Sequence, residues 1–338
     1  MSGVDRGRPM IAASEGAVAD AVATLRGNAA DIVAAAVFAA AALSPTVLLG
    51  PVQILIGGAG AGLRAIDGRC LQPGRGAARP RGFVSPSEVP DAAHVGVTCL
   101  PAAIAALLAS FGTLTFSQAV APALDLTNAS SKARHQTLKL LSRGGPYAMA
   151  GREIGGALVD AGGRLAGGIL TSSDLESARP TVVPCTLPAG ARSGVIVPWS
   201  DDEPHRSVDT QAIAVTDANG VVVVACYETP IDGVPVAELG LVAPFVAAPV
   251  RRGERRIAPG AALPAASPMA LLSVDGVVNV GVAVAQVAAA ESSLKQLVDA
   301  MSQGASIDEA IAQYRENSRQ SGRVVGVARS SRGARAFG

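Results

Sequence analysis

Aromatic side chains make up only 3% of this chain and charged ones 16%. No apolar run approaches the ~20 residues that a membrane-spanning helix requires. The longest, residues 32–43, is too short, so no membrane partner is expected. With a net charge of +1 and arginines scattered along the sequence, an electrostatic footprint for nucleic acid is missing too. The one dense group, Arg251-Arg252-Gly253-Glu254-Arg255-Arg256, reads as a solvated loop. Cysteines are few, and Cys70, Cys99, Cys185 and Cys226 show no paired spacing. Residues 1–14 lack the apolar core of a secretory signal, so the expectation is reduced thiols in a cytoplasmic protein. His94, His135 and His205 are too far apart for metal-ligand spacing, and no metal is expected.

What the chain does have is a large apolar fraction, 49% of 338 residues, enough for one large core or two ordinary ones. Ser14 ahead of residues 15–26 predicts a capped helix that stops at Gly27-Asn28. Residues 29–43 predict a second helix, apolar almost all round and therefore buried. Strand-like runs at 52–56 and 63–66 flank the glycines of 57–62. Those glycines lack the following helix and the acidic residue of a dinucleotide fingerprint, so they predict a tight strand connection and no nucleotide cofactor. Helical periods follow at 101–110, 133–141 and 152–161, at 117–126 with Pro122 expected to kink the helix, and in a short N-capped helix at 170–175. From 179 to 205 the composition turns to Pro, Ser, Asp and Gly, with strand-like runs at 181–185 and 194–197, which makes this segment the best linker candidate. Strands at 269–273 and 277–284 precede helices at 288–301 and 307–315. Strands gathered in the second half, with helices before and after, predict an α+β fold. Little charge and several apolar helices leave homo-oligomer formation open.

Two β-branched-rich runs, 211–216 and 221–225, joined by Asp217-Ala218-Asn219-Gly220, form a clear hairpin signal headed by Thr210. In a chain that cuts itself before such a threonine, the freed α-amino group lies beside the hydroxyl, and one residue supplies both nucleophile and base. The plainer alternative is a threonine that begins a strand. Cys226, in the second run, reads as core, and Asp201-Asp202-Glu203 as a solvated loop.

Several segments, in order, resemble the γ-glutamyltransferase (γ-glutamyltranspeptidase) family of N-terminal nucleophile hydrolases. Arg26-Gly27-Asn28-Ala29-Ala30-Asp31 is similar to that family's GGNAxDAA signature, and Ser44-Pro45 falls where its helix ends. Asp67-Gly68-Arg69 with Pro73 resembles DxRExAP, and Phe111-Gly112-Thr113-Leu114 with Ala121-Pro122-Ala123 resembles YGTL…APAI. Gly168-Ile169-Leu170-Thr171-Ser172-Ser173-Asp174-Leu175 resembles GLLTxxDL, and residues 302–311 resemble the helix pair near the family's C-terminus. The resemblance implies a four-layer αββα sandwich with Thr210 as catalytic nucleophile. It also implies a cut between Asp209 and Thr210, giving parts 1–209 and 210–338 that together form one compact fold. Arg69 falls on the family's arginine for the substrate α-carboxylate, a task that suits the fixed fork of a guanidinium.

Departures gather where the chemistry should be. Gln211-Ala212 stands for the family's Thr-His, Glu228 for its supporting threonine and Pro230 for the asparagine that follows. Pro264-Ala265 replaces the Ser-Ser before Ser267-Pro268, and no carboxylate lies around 245–248 to anchor a substrate amine. The diglycine loop that forms the family's oxyanion hole corresponds to Val282-Ala283-Val284-Ala285-Gln286, leaving main-chain groups, Gln286 or Gln211 as donors. Two readings follow. One is an amidohydrolase for a small carboxylate-bearing amide, in which Thr210 attacks, Arg69 binds the carboxylate and Glu228 assists or orients. The other is a non-catalytic relative that serves as a binding or subunit protein.

Overall fold

The computed structural model of the chain describes residues 8–78, 82–127, 131–188, 190, 192–199, 209–274, 276–285, 290–317, 322–330 and 333–338. Its strands are β1 (Met10–Ala13), β2 (Val52–Gly58), β3 (Arg64–Gly68), β4 (Thr181–Pro184), β5 (Arg192–Ile196), β6 (Asp209–Thr216), β7 (Val221–Thr229), β8 (Gly233–Val236), β9 (Leu241–Pro244), β10 (Met269–Val274), β11 (Val277–Ala285), β12 (Arg323–Ser330) and β13 (Gly333–Phe337). The helices are α1 (Gly16–Val22), α2 (Ala29–Leu43), α3 (Leu100–Phe111), α4 (Phe116–Thr127), α5 (Lys132–Gly144), α6 (Arg152–Gly162), α7 (Ser172–Ser177), α8 (Ala290–Ser302) and α9 (Ile307–Asn317).

The strands form a six-stranded sheet, β1-β6-β7-β2-β3-β4, a five-stranded sheet, β13-β12-β11-β10-β5, and the ribbon β8-β9. Alternation along β6 shows how the sheets are layered: Ile213 and Val215 join the core shared with α2, α3 and α4, while Ala212 and Ala214 join the core between the sheets. With both faces buried, β6 carries no polar alternation. Leu271, Ala283, Val325 and Val327 of the second sheet complete the inter-sheet core, and that sheet's other face packs Ala270, Leu272, Val282 and Val284 against Leu294, Leu297, Ile311 and Tyr314 of α8 and α9. The result is the four-layer αββα sandwich of an α+β protein.

Small side chains set the layer spacing. In α2 every residue from Ala29 to Ala42 is buried, as its all-round apolar pattern requires, and Phe38 meets Phe116 of α4 edge-on at 5.2 Å. At Gly281 a Cβ would stand 2.6 Å from one methyl of Val224 and 2.7 Å from one of Val222, so the sheets approach there because there is no side chain.

The motifs read in the sequence are clasps between segments. Asn28 caps α2 and forms a reciprocal box with Asp31. The fully buried Asp31 carboxylate also accepts the N–H groups of Thr113 (2.8 Å) and Leu114 (2.9 Å) and the hydroxyl of Thr113 (2.6 Å). Thr171 and Asp174 form the same box on α7, and Asp174 accepts the N–H groups of Gly74 (2.9 Å) and Arg75 (2.8 Å). In the hairpin turn, Asp217 accepts from Asn219, Val221 and, 3.1 Å away, the N–H of Ala29.

Two expectations change. Ser14 does not cap α1, which starts behind Glu15 without a side-chain cap; the Ser14 hydroxyl donates to Gln211 Oε1 at 2.6 Å, a longer-range partner that wins over the local one. The linker candidate 179–205 is no linker in its described part: β4 closes the edge of one sheet and β5 that of the other. Pro122 falls inside α4, where the helical period over 117–126 placed it, and the helix runs on to Thr127. The strands β1, β12 and β13 carried no clear signal; β12 and β13 are interrupted by Arg329 and Arg335. No helix among the described residues is long and apolar enough to cross a membrane.

Urea denaturation of Gly281→Val should give an unfolding free energy lower by about 1–3 kcal/mol, because the new side chain overpacks the inter-sheet core. Gly156→Ala, at a helical position with nothing within 4 Å, should raise it by roughly 0.5–1 kcal/mol.

Candidate functional site

Thr210 is the second residue of β6 and pairs with Glu228 of β7, while Asp209 before it pairs with Thr229. Asp209 is exposed and Thr210 fully buried, so the peptide bond between them crosses from solvent into the sandwich. By the alternation of β6, the Thr210 side chain lies on the inter-sheet face with Ala212 and Ala214. Its Oγ1 is buried and finds no hydrogen-bond partner among the described residues, and Ser267 Oγ is in the same condition. A buried hydroxyl left so costs about 1–3 kcal/mol, and such groups mark places where function competes with stability.

Glu228 shares that face with Cys226, is 5% exposed, and accepts the N–H of Ala266 at 2.9 Å. The adjoining Ala265 carbonyl accepts from Gln53 Nε2 at 3.3 Å, and Gln53 Oε1 accepts from the indole N–H of Trp199. The guanidinium of Arg69 stands over the Trp199 ring, 5.8 Å from its centroid, and forks the Asp67 carboxylate through Nε (3.1 Å to each oxygen) and Nη2 (2.9 Å). A continuous chain of contacts thus runs from Arg69 through Trp199, Gln53 and Ala265-Ala266 to Glu228, opposite Thr210. Gln53 and Trp199 were not foreseen. The signals were a glutamine inside an apolar strand run and the single tryptophan of the chain.

Gln211 falls elsewhere. Its side chain is on the helical face of the sheet, held by Ser14, beside Tyr227, whose hydroxyl donates to Glu15 Oε2 at 2.9 Å. Residues 282–285, matched to the family's oxyanion loop, are the C-terminal end of β11, paired with β12 throughout and with β10 as far as Ala283. The N–H of Val284, for example, goes to the Pro268 carbonyl at 2.9 Å. Gln286 lies outside the described residues, as do Asp201-Asp202-Glu203 and His205. Around 245–248 the backbone is tied to other segments: Val246 and Ala247 donate to the His94 carbonyl, and Ala248 exchanges two hydrogen bonds with the Gln72 side chain. Among the described residues no group of three or more His, Cys, Asp or Glu side chains could hold a metal ion.

Two thiols near the site, Cys70 and Cys99, are buried. Burial pushes the Cys70 thiol well above its ordinary pKa, with Cys99, Glu228 and Asp67 adding to the effect, and burial followed by Asp67 pushes Cys99 up to about 12.

No protein-family model matches the sequence, and no curated protein does either. Among solved structures, LmbA2991T421A superposes at a TM-score of 0.72 with 14% identity, over 99% of this chain and 97% of that one. The cephalosporin acylase from Bacillus halodurans gives a TM-score of 0.70 and 13% identity over 99% and 95%. The chain has the fold of the N-terminal nucleophile hydrolases. Helicobacter pylori γ-glutamyltranspeptidase overlaps 52% of this chain and 65% of its own, at 20% identity and a TM-score of 0.43. Within this N-terminal nucleophile hydrolase fold, Thr210, Glu228 and Arg69 gather at one end of the gap between the sheets, and Gln211 faces away from it.

A thiol reagent such as Ellman's, added to the native protein at pH 8, should modify the half-buried Cys185 alone. The buried Cys70, Cys99 and Cys226 should react only in denaturant, because burial blocks access and the raised thiol pKa values of Cys70 and Cys99 leave little thiolate at that pH.

Proposed function

We propose that the chain is a γ-glutamyltransferase-like amidohydrolase or acyltransferase for a small carboxylate-bearing amide, matured by a cut between Asp209 and Thr210. The observation that carries this reading is the Thr210 hydroxyl: buried, without a partner, facing the gap between the sheets and one bond inside the solvent boundary. After the cut, the new α-amino group adjoins that hydroxyl and takes its proton as the oxygen attacks the amide carbonyl. The same group, protonated, then delivers the proton to the leaving amine, and water or an amine resolves the acyl-enzyme.

Arg69 binds the substrate carboxylate at the far end of the Trp199-Gln53 contacts, sharing its donors with Asp67. Glu228, cross-strand from Thr210, orients the nucleophile and steadies the new ammonium. The reading needs no cofactor. That a structural neighbour at near-complete overlap is a cephalosporin acylase supports acyl chemistry on an amide.

Intact mass after incubation checks the maturation step: the wild type should resolve into parts 1–209 and 210–338, the second beginning with Thr210, while Thr210→Ala stays whole. A whole wild type without activity on an amide panel would instead favour a binding protein on this fold. Arg69→Lys should raise KM for a carboxylate-bearing amide about 10- to 100-fold, since a lysine cannot fork and loses a charged hydrogen bond of about 1.5–3 kcal/mol. An unchanged KM removes Arg69 from the substrate site.

A further inference from the structure

Resting on that reading, we infer that Thr229 is the oxyanion donor for the self-cleavage: its hydroxyl stabilises the charge that develops on the Asp209 carbonyl oxygen when Thr210 attacks. The Thr229 Oγ1 donates to that carbonyl oxygen at 3.1 Å in the uncut chain. It does so because β6 and β7 pair Asp209 with Thr229 directly. In the stretch 282–285, matched to the family's oxyanion loop, the N–H of Val284 is already given to the Pro268 carbonyl.

The register addresses both reacting residues at once. Glu228 stands opposite Thr210, the nucleophile, and Thr229 opposite Asp209, the electrophile. Before the cut there is no free α-amino group, so the first step needs another base, and the Glu228 carboxylate on the same face is the one the pairing supplies. In that step Thr210 Oγ1 loses its proton to Glu228, directly or through one water, and bonds to the Asp209 carbonyl carbon. The carbonyl oxygen takes the electron pair and rests on the Thr229 hydroxyl. The C–N bond to Thr210 then breaks, and its nitrogen leaves with the proton returned by Glu228, so that an ester joins Asp209 to the Thr210 oxygen. Water hydrolyses the ester to the Asp209 carboxylate and the free Thr210 hydroxyl. The exposure of Asp209 places that carbonyl within reach of water, while Thr210 stays inside.

Thr229→Val keeps the β-branched shape and removes the donor; Thr229→Ser keeps the donor and removes the methyl. Intact-mass time courses on wild type, both variants, Thr229→Ala as a second donor-less form and Thr210→Ala would test the assignment, with thermal melts to confirm folding. The expected result is cutting slowed about 100-fold or more in the Val and Ala forms, near wild-type cutting in the Ser form, and none without Thr210. Val and Ala forms that cut at the wild-type rate overturn the role of Thr229 and leave the maturation reading standing. A wild type that stays whole overturns both.

Discussion

Backbone N–H groups stranded at loop ends and helix starts are the liability this fold has to resolve, and it does so with a few buried aspartates. Asp31 satisfies its own helix cap and the loop between α3 and α4; Asp174 does the same for α7 and the loop after β3; Asp217 joins the β6–β7 turn to the start of α2. Charged hydrogen bonds of this kind contribute about 1.5–3 kcal/mol each, and removing one carboxylate would strand several donors together. At Asp217 the helical layer is tied to the first sheet, and the same carboxylate accepts the N–H groups of Asn219 and Val221 in the turn of the hairpin that pairs Thr210 with Glu228.

These clasps explain what was legible in the sequence. Asn28, Asp31, Thr113, Thr171 and Asp174 sit in the segments that resemble the γ-glutamyltransferase family, and all of them take part in the clasps, not in the site. The resemblance therefore spoke to the fold. Long elements with a single dominant period, such as α2 and the pair β6–β7, were readable with nearly correct limits. Of the edge strands, β4 and β5 coincide with the strand-like runs at 181–185 and 194–197, although their Pro- and Ser-rich surroundings made the stretch read as a linker, whereas the four-residue β1 carried no signal because pairing with a neighbour, not local preference, makes it a strand.

The site was legible only in part, for a reason of geometry. Position along β6 fixes which face a side chain takes, and a one-residue step separates Thr210, facing the second sheet, from Gln211, facing the helices. The resemblance made Thr210 a candidate, and Gln211 joined it only as a side-chain donor next in sequence. Gln53 and Trp199 join the candidate site, and Thr229 reaches the Asp209 carbonyl, through pairings between segments far apart in the chain, which no local pattern records.

The distribution of strands between the two sheets has a consequence for the life of the molecule. The larger sheet takes β1–β4 from before residue 209 and β6–β7 from after it, and the smaller sheet takes β5 from before and the rest from after. Folding of the whole chain is unimolecular. Were the backbone opened at 209–210, as proposed, regaining the same two sheets from an unfolded state would become an encounter between two separate chains, and stability would acquire a dependence on protein concentration that the uncut molecule lacks. An opened molecule would thus persist by unfolding slowly, its age set by a rate and not by an equilibrium.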